Sequence, residues 1–167
     1  MIVVCSLREA QRQIDLHGAS HAVSILGPET PHHAFSGIGQ DRHLKLTFHD
    51  IALASDGMLA PQAGHVETLL SFYRVWDRTA PLLIHCWAGV SRSTAAAYIA
   101  KCVFEPRRDE HEIAWELRDA SPSATPNPRM IAMADELLGR EGRMQQAIAE
   151  IGRGEDAFEG TPFLLKL

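Results

Sequence analysis

With 167 residues, the chain has the length of one domain with a sizeable hydrophobic core. Its formal charge of −5 argues against nucleic acid or an acidic membrane as a partner, and no apolar run approaches the ~20 residues that cross a bilayer. Three scattered cysteines, Cys5, Cys86 and Cys102, exclude a disulfide framework, and Met1-Ile2-Val3-Val4-Cys5 lacks the basic region and length of a secretory signal. A reducing, cytoplasmic setting is expected.

Ile2-Val3-Val4-Cys5 reads as a first strand. Ser6 with Glu9 has the spacing of a capping box, Leu7, Ala10 and Ile14 follow helical spacing, and Gly18 suits a C-terminal stop. His21–Leu26 is a second strand, ended by Gly27-Pro28. Residues 28–40 read as a loop whose His32-His33 pair lacks a third metal ligand at a useful spacing, so solvated histidines are expected. Leu44, Leu46 and Phe48 alternate with polar residues, the period of a half-buried strand, which delivers His49-Asp50 to its end. Pro61 suits the first turn of a helix, along which Val66, Leu69, Leu70, Tyr73 and Trp76 recur as an apolar face.

Pro81-Leu82-Leu83-Ile84 reads as a buried strand and the Ala-rich run from Thr94 as a helix that stops before Pro106, with Cys102 as a small core residue. Between them lies His85-Cys86-Trp87-Ala88-Gly89-Val90-Ser91-Arg92-Ser93. A small-residue loop entering a helix N-terminus gathers backbone N–H groups, and the helix dipole adds positive potential, so the loop is a seat for a phosphate dianion. Arg92 at its rim offers a planar fork for two phosphate oxygens. The same field favours Cys86 as a thiolate nucleophile. Ser93 is placed to donate to the sulfur, and His85 to brace the loop rather than carry protons. Further on, Asp109 and Glu112 open another helix, residues 121–126 form a loop, Asn127 caps and Pro128 begins a helix, and one apolar stripe runs from Met130 to Ile151 with Gly139 and Gly142 as weak points. Residues 1–167 read as a single α/β domain, a mostly parallel sheet with helices on both faces, with 158–167 as a tail of open placement. Cys86 and Asp50 then fall at the carboxyl ends of strands, where such sheets bind ligands.

The run His85-Cys86, five residues, Arg92-Ser93 resembles the His-Cys-x5-Arg-Ser/Thr signature of the protein tyrosine phosphatase superfamily. The short chain without long insertions is similar to the small dual-specificity branch, bacterial members included. The resemblance implies metal- and cofactor-independent hydrolysis of phosphomonoesters on a phosphorylated protein or peptide, through a phospho-cysteine. Cys86, Arg92 and Ser93 are then catalytic, while Trp87, Ala88, Gly89, Val90, Ser91 and Arg92 bind the phosphoryl group. Expelling the substrate alkoxide or phenoxide needs a carboxylic acid. In this branch the acid follows an earlier strand, and Asp50, 86 − 50 = 36 residues upstream, is preferred to its competitor Asp56 in an Asp-Gly turn. Asn127 fits the family's Pro-Asn element, which ties the last helix to the phosphate loop, and Arg118 fits as half of a structural ion pair. Trp87 has two open readings, core or pocket floor.

Competing readings are a phospho-ligand-binding pseudophosphatase, a rhodanese-like cysteine loop, and an arsenate reductase needing Cys5 or Cys102 as redox partners. No residue between Cys86 and Arg92 is basic, which suits a single phosphoryl group, with phosphotyrosine ahead of phosphoserine or phosphothreonine. Arg107-Arg108 is the one candidate for a basic rim that would argue otherwise.

Overall fold

The computed structural model describes residues 1–167. Four strands are parallel: β1 (Ile2–Ser6), β2 (His21–Leu26), β3 (His43–Thr47) and β4 (Leu82–Cys86). A fifth, β5 (Phe163–Leu165), runs antiparallel to β1 and completes the order β3-β2-β4-β1-β5. The tail therefore packs back, because Phe163 and Leu165 bury their side chains while Leu164 faces out. Residues two apart share a face of a strand, so β1 divides its side chains between two cores. Val3 and Cys5 pack with Ala10 and Ile14 of α1 (Ala10–His17) and with Leu83. Ile2, Val4 and Ile84 join the larger core on the other face.

That larger face carries α2 (Ala63–Val75), α3 (Arg92–Phe104), α4 (Glu110–Ala120), α5 (Pro128–Leu137) and α6 (Arg143–Ile151). Every residue of α3 from Arg92 to Cys102 is buried, for it lies between the sheet and α2, α4 and α5. Its Ala95-Ala96-Ala97 run gives the close approach that such a central helix needs. Because α3 follows β4 directly, its N-terminus is fixed at the carboxyl end of the central strand.

Several local expectations are corrected. Ser6 is a strand residue, and its hydroxyl donates to Glu159; α1 starts later, with Glu9 at its N-cap and no side-chain cap. Pro61 precedes α2, whose capping box is Gln62 with His65. Asp109 does cap α4, but Glu112 pairs with Arg108 instead of closing a box. The stripe after Asn127 splits into α5 and α6 around Gly139 and Gly142. The break is held by buried Asp135, whose carboxylate accepts from the N–H groups of Gly142, Met144 and Gln145 at 2.6, 2.7 and 3.3 Å. Arg118 has no carboxylate partner: it donates to the carbonyls of Ala124, Ile151, Gly152 and Arg153, satisfying the open end of α6. No helix is long and apolar enough to cross a membrane.

Candidate active site

The segment 87–91 links the fully buried β4 to α3, and its carbonyls are claimed from behind. Leu7 N–H donates to Trp87 O (3.2 Å), Gly160 N–H to Ala88 O (2.8 Å), Thr125 N–H to Val90 O (2.9 Å) and Ala95 N–H to Ser91 O (2.9 Å). In a trans peptide the C=O of one residue and the N–H of the next point opposite ways, and the chain has no cis bonds. Outward carbonyls therefore turn the amides of Ala88, Gly89, Ser91 and Arg92 inward. Gly89 shows the result directly, its N–H reaching Cys86 Sγ at 3.3 Å. The turn requires glycine twice over: φ is 76°, and a Cβ would stand 2.8 Å from both Cys5 C and Ser6 N.

Cys86 Sγ lies 3.2 Å from Ser93 Oγ, so the amide of Gly89 and a hydroxyl both face the sulfur. Arg92 is buried, and its Nη1 donates to Phe48 O at 2.9 Å. Nε makes no hydrogen bond although it is buried, leaving the Nε–Nη2 edge as a two-pronged donor with no protein acceptor. Asp50 Oδ2 is 3.8 Å from Nε, an ionic contact rather than a hydrogen bond. Its Oδ1 accepts from Ser91 Oγ and from Asn127 Nδ2, both at 2.8 Å. Asn127 thus binds the 87–91 segment through its backbone, donating to Ser91 O (3.4 Å), while its side chain holds Asp50 and its Oδ1 caps α5. Asp56 is exposed and makes none of these contacts.

His49 is half of the clamp that closes the loop after Asp50, not a free exposed side chain. Its N–H donates to Leu59 O and its Nδ1 accepts from Leu59 N–H, each at 2.8 Å, while Nε2 faces Glu29 at 3.4 Å.

His85 is hydrogen-bonded at both ring nitrogens, through partners that sequence did not reveal. Its Nδ1 lies 3.3 Å from Cys86 O and its Nε2 is 2.6 Å from Ser24 Oγ, which is 2.7 Å from His43 Nε2. A carbonyl only accepts, so Nδ1 carries the proton and Nε2 accepts from Ser24, whose oxygen in turn accepts from His43 Nε2–H. The chain of donors runs from β3 through β2 to the Cys86 carbonyl. Burial pushes both imidazoles down to about 4, so both are neutral at pH 7.

A cavity of about 400 Å³ opens above Arg92 and Asp50, walled by Glu29, His49, Met58 and Trp87. Trp87 is a rim residue, half exposed, and belongs neither to the core nor to the floor. Arg107-Arg108 supplies no rim: it lies past the far end of α3, where Arg108 is tied to Glu105, Glu112 and Glu116. The largest cavity, about 690 Å³ between α1 and the tail, includes neither Cys86 nor Arg92. The three cysteines are free. Cys5 projects into the smaller core on the opposite face from Cys86, and burial raises its thiol far above the ordinary range; Cys102, on α3, is pushed up to about 12. Neither is a ready redox partner for Cys86. His32 Nε2 contacts Thr47 Oγ1 at 3.0 Å and His33 is exposed, and no three His, Cys, Asp or Glu side chains cluster as metal ligands.

No protein-family model matches the sequence, and no curated protein matches it. Solved structures do. The crystal structure of DUSP15 aligns with 93% of this chain and 94% of its own at TM-score 0.62 and 18% identity. Human DUSP28 aligns over 84% of this chain and 89% of its own (0.63, 20%). The human tyrosine phosphatase-like serine/threonine/tyrosine-interacting protein aligns over 84% and 92% (0.64, 15%). The chain has the dual-specificity phosphatase fold. At these identities the dual-specificity phosphatase likeness fixes the α/β architecture, and the chemistry rests on the residues at the end of β4.

Proposed function

We propose that this chain is a cysteine-dependent phosphomonoester hydrolase acting on phosphorylated protein, without a metal or other cofactor. The observation that carries the reading is Cys86 Sγ at the base of a loop of inward amides, beside the Nε–Nη2 edge of Arg92, which makes no hydrogen bond to the protein. A phosphoryl dianion on Cys86 would satisfy both, with its charge met by amides, the start of α3 and one guanidinium. The sulfur attacks phosphorus and the phosphorus–oxygen bond to the substrate breaks. Asp50, protonated at that step, gives its proton to the leaving oxygen. In the second step a water gives its proton to the Asp50 carboxylate and attacks phosphorus. The sulfur leaves as thiolate, eased by the Ser93 hydroxyl, and inorganic phosphate is released.

The presence of both Cys86 and Asp50 favours catalysis over a binding-only module, a choice the fold alone does not make. Around the seat the acidic side chains are Glu29 and Asp50 and the only cation is Arg92, which suits a single phosphoryl group rather than a polyphosphate or phosphoinositide. An aryl leaving group is the easier to expel, so phosphotyrosine should exceed phosphoserine and phosphothreonine.

The test is hydrolysis of p-nitrophenyl phosphate and of an alkyl phosphate with EDTA present throughout. Cys86→Ser should abolish turnover of both. Asp50→Asn should lower the alkyl rate by about 10²–10⁴ and the nitrophenyl rate far less. Wild-type rates in Cys86→Ser, or that pattern in Asp56→Asn instead of Asp50→Asn, would overturn the assignment.

A further inference from the structure

We infer that an apolar subsite beside the phosphate loop, formed by Trp87, Phe158 and Leu7, takes a hydrophobic side chain next to the phosphorylated residue of the substrate. The inference rests on the phosphatase reading above and names the peptide chemistry that the same site selects.

Trp87 is 47% exposed and Phe158 is 79% exposed. Single exposed apolar residues need no explanation, but these two meet edge to face, with ring centroids 5.4 Å apart. They flank a separate cavity of about 360 Å³, completed by Leu7, Arg8 and Glu159, whose open surface is mostly apolar. At its mouth Arg8 and Glu159 face each other at 3.6 Å, so the rim carries paired charge and favours no charged guest.

Phe158 is held in position rather than carried on a loose end. The next residue, Glu159, accepts from Ser6 Oγ at the end of β1, and the one after, Gly160, donates to Ala88 O at 2.8 Å. Gly160 sits so close that a Cβ there would meet Gly89 O at 2.9 Å. The segment that presents Phe158 is thus fastened to the loop that seats the phosphoryl group.

The occupant follows from continuity. Trp87 lines both this cavity and the one over Arg92 and Asp50, so a single indole divides the two. An extended peptide advances about 3.3 Å per residue with alternate side chains on opposite faces. With its phosphoryl group on Cys86, a side chain one to three positions away spans the indole. The volume accommodates a leucine, methionine or phenylalanine.

The experiment measures kcat/KM for phosphotyrosyl peptides that carry leucine, glycine or aspartate at each of the three positions on either side, with p-nitrophenyl phosphate alongside. Wild type should favour leucine over glycine at one position or more by about tenfold, the discrimination that one apolar side chain in a hydrophobic pocket provides. In Phe158→Ala that ratio should fall to within about twofold of unity, whatever the absolute rates. Nitrophenyl phosphate turnover with no leucine preference in wild type, or a preference that survives in Phe158→Ala, overturns the subsite and leaves the phosphatase reading standing. Absence of turnover on every substrate overturns both.

Discussion

Lowering the pH from 7 to 5 should destabilise the fold through His85. Its imidazole is fully buried, spends both nitrogens on Cys86 O and Ser24 Oγ, and has its ordinary value of 6.5 lowered to about 4 by desolvation. A group depressed on folding binds fewer protons folded than unfolded between those two values. Its stabilising effect is therefore complete above about pH 6.5 and is lost progressively as the pH falls toward 4. Integrating between pH 7 and pH 5 gives a loss of about 2 kcal/mol from this residue. The assay is urea unfolding followed by tryptophan fluorescence at both pH values, on wild type and on His85→Gln. Glutamine cannot titrate, so the groups outside the His43–Ser24–His85 chain act equally on both proteins. The stability gap between them should narrow by about 2 kcal/mol at pH 5. A gap unchanged to within about 0.5 kcal/mol would refute the neutral, buried imidazole and with it the donor chain from His43 to Cys86 O.

Gly89→Ala should damage folding and activity together. The left-handed backbone alone costs about 1–2 kcal/mol, and the methyl meets main chain at Cys5 and Ser6 rather than a yielding side chain. Differential scanning should show a lowered Tm and phosphate-ester turnover should drop at least about tenfold, as the Gly89 N–H is displaced from Sγ. Gly64→Ala, a helical position with open space around it, is the control and should be neutral or slightly stabilising. Asp135→Ala removes the acceptor for three amides at the start of α6 and should cost about 2 kcal/mol in urea unfolding, with Asp135→Asn recovering part of it.

The Cys86–Arg92 turn was legible because its physics is contiguous. A strand that ends at Cys86, a glycine that permits the turn and a helix that starts at Arg92 lie within a few residues. Inward amides and a guanidinium at the rim follow from that local geometry. That Asp50 rather than Asp56 stands beside Arg92 became a distance only in the fold, where Asn127, 77 residues away, holds its carboxylate. The same holds for what keeps the loop in shape. Leu7, Thr125 and Gly160 take its carbonyls, and Ser24 and His43 align His85, and no spacing announces those partners. Ser6 and Arg118 depart from the expected roles for one cause. A polar group meets whichever partner packing brings near: Glu159 for Ser6, and the carbonyl end of α6 for Arg118. The sequence by itself determined where the small-residue turn between β4 and α3 lies and which side chains flank it, because that geometry is local to the chain. Tertiary structure decided what orients them and where the tail lies, because long-range hydrogen bonds form only after sheet and helices have packed.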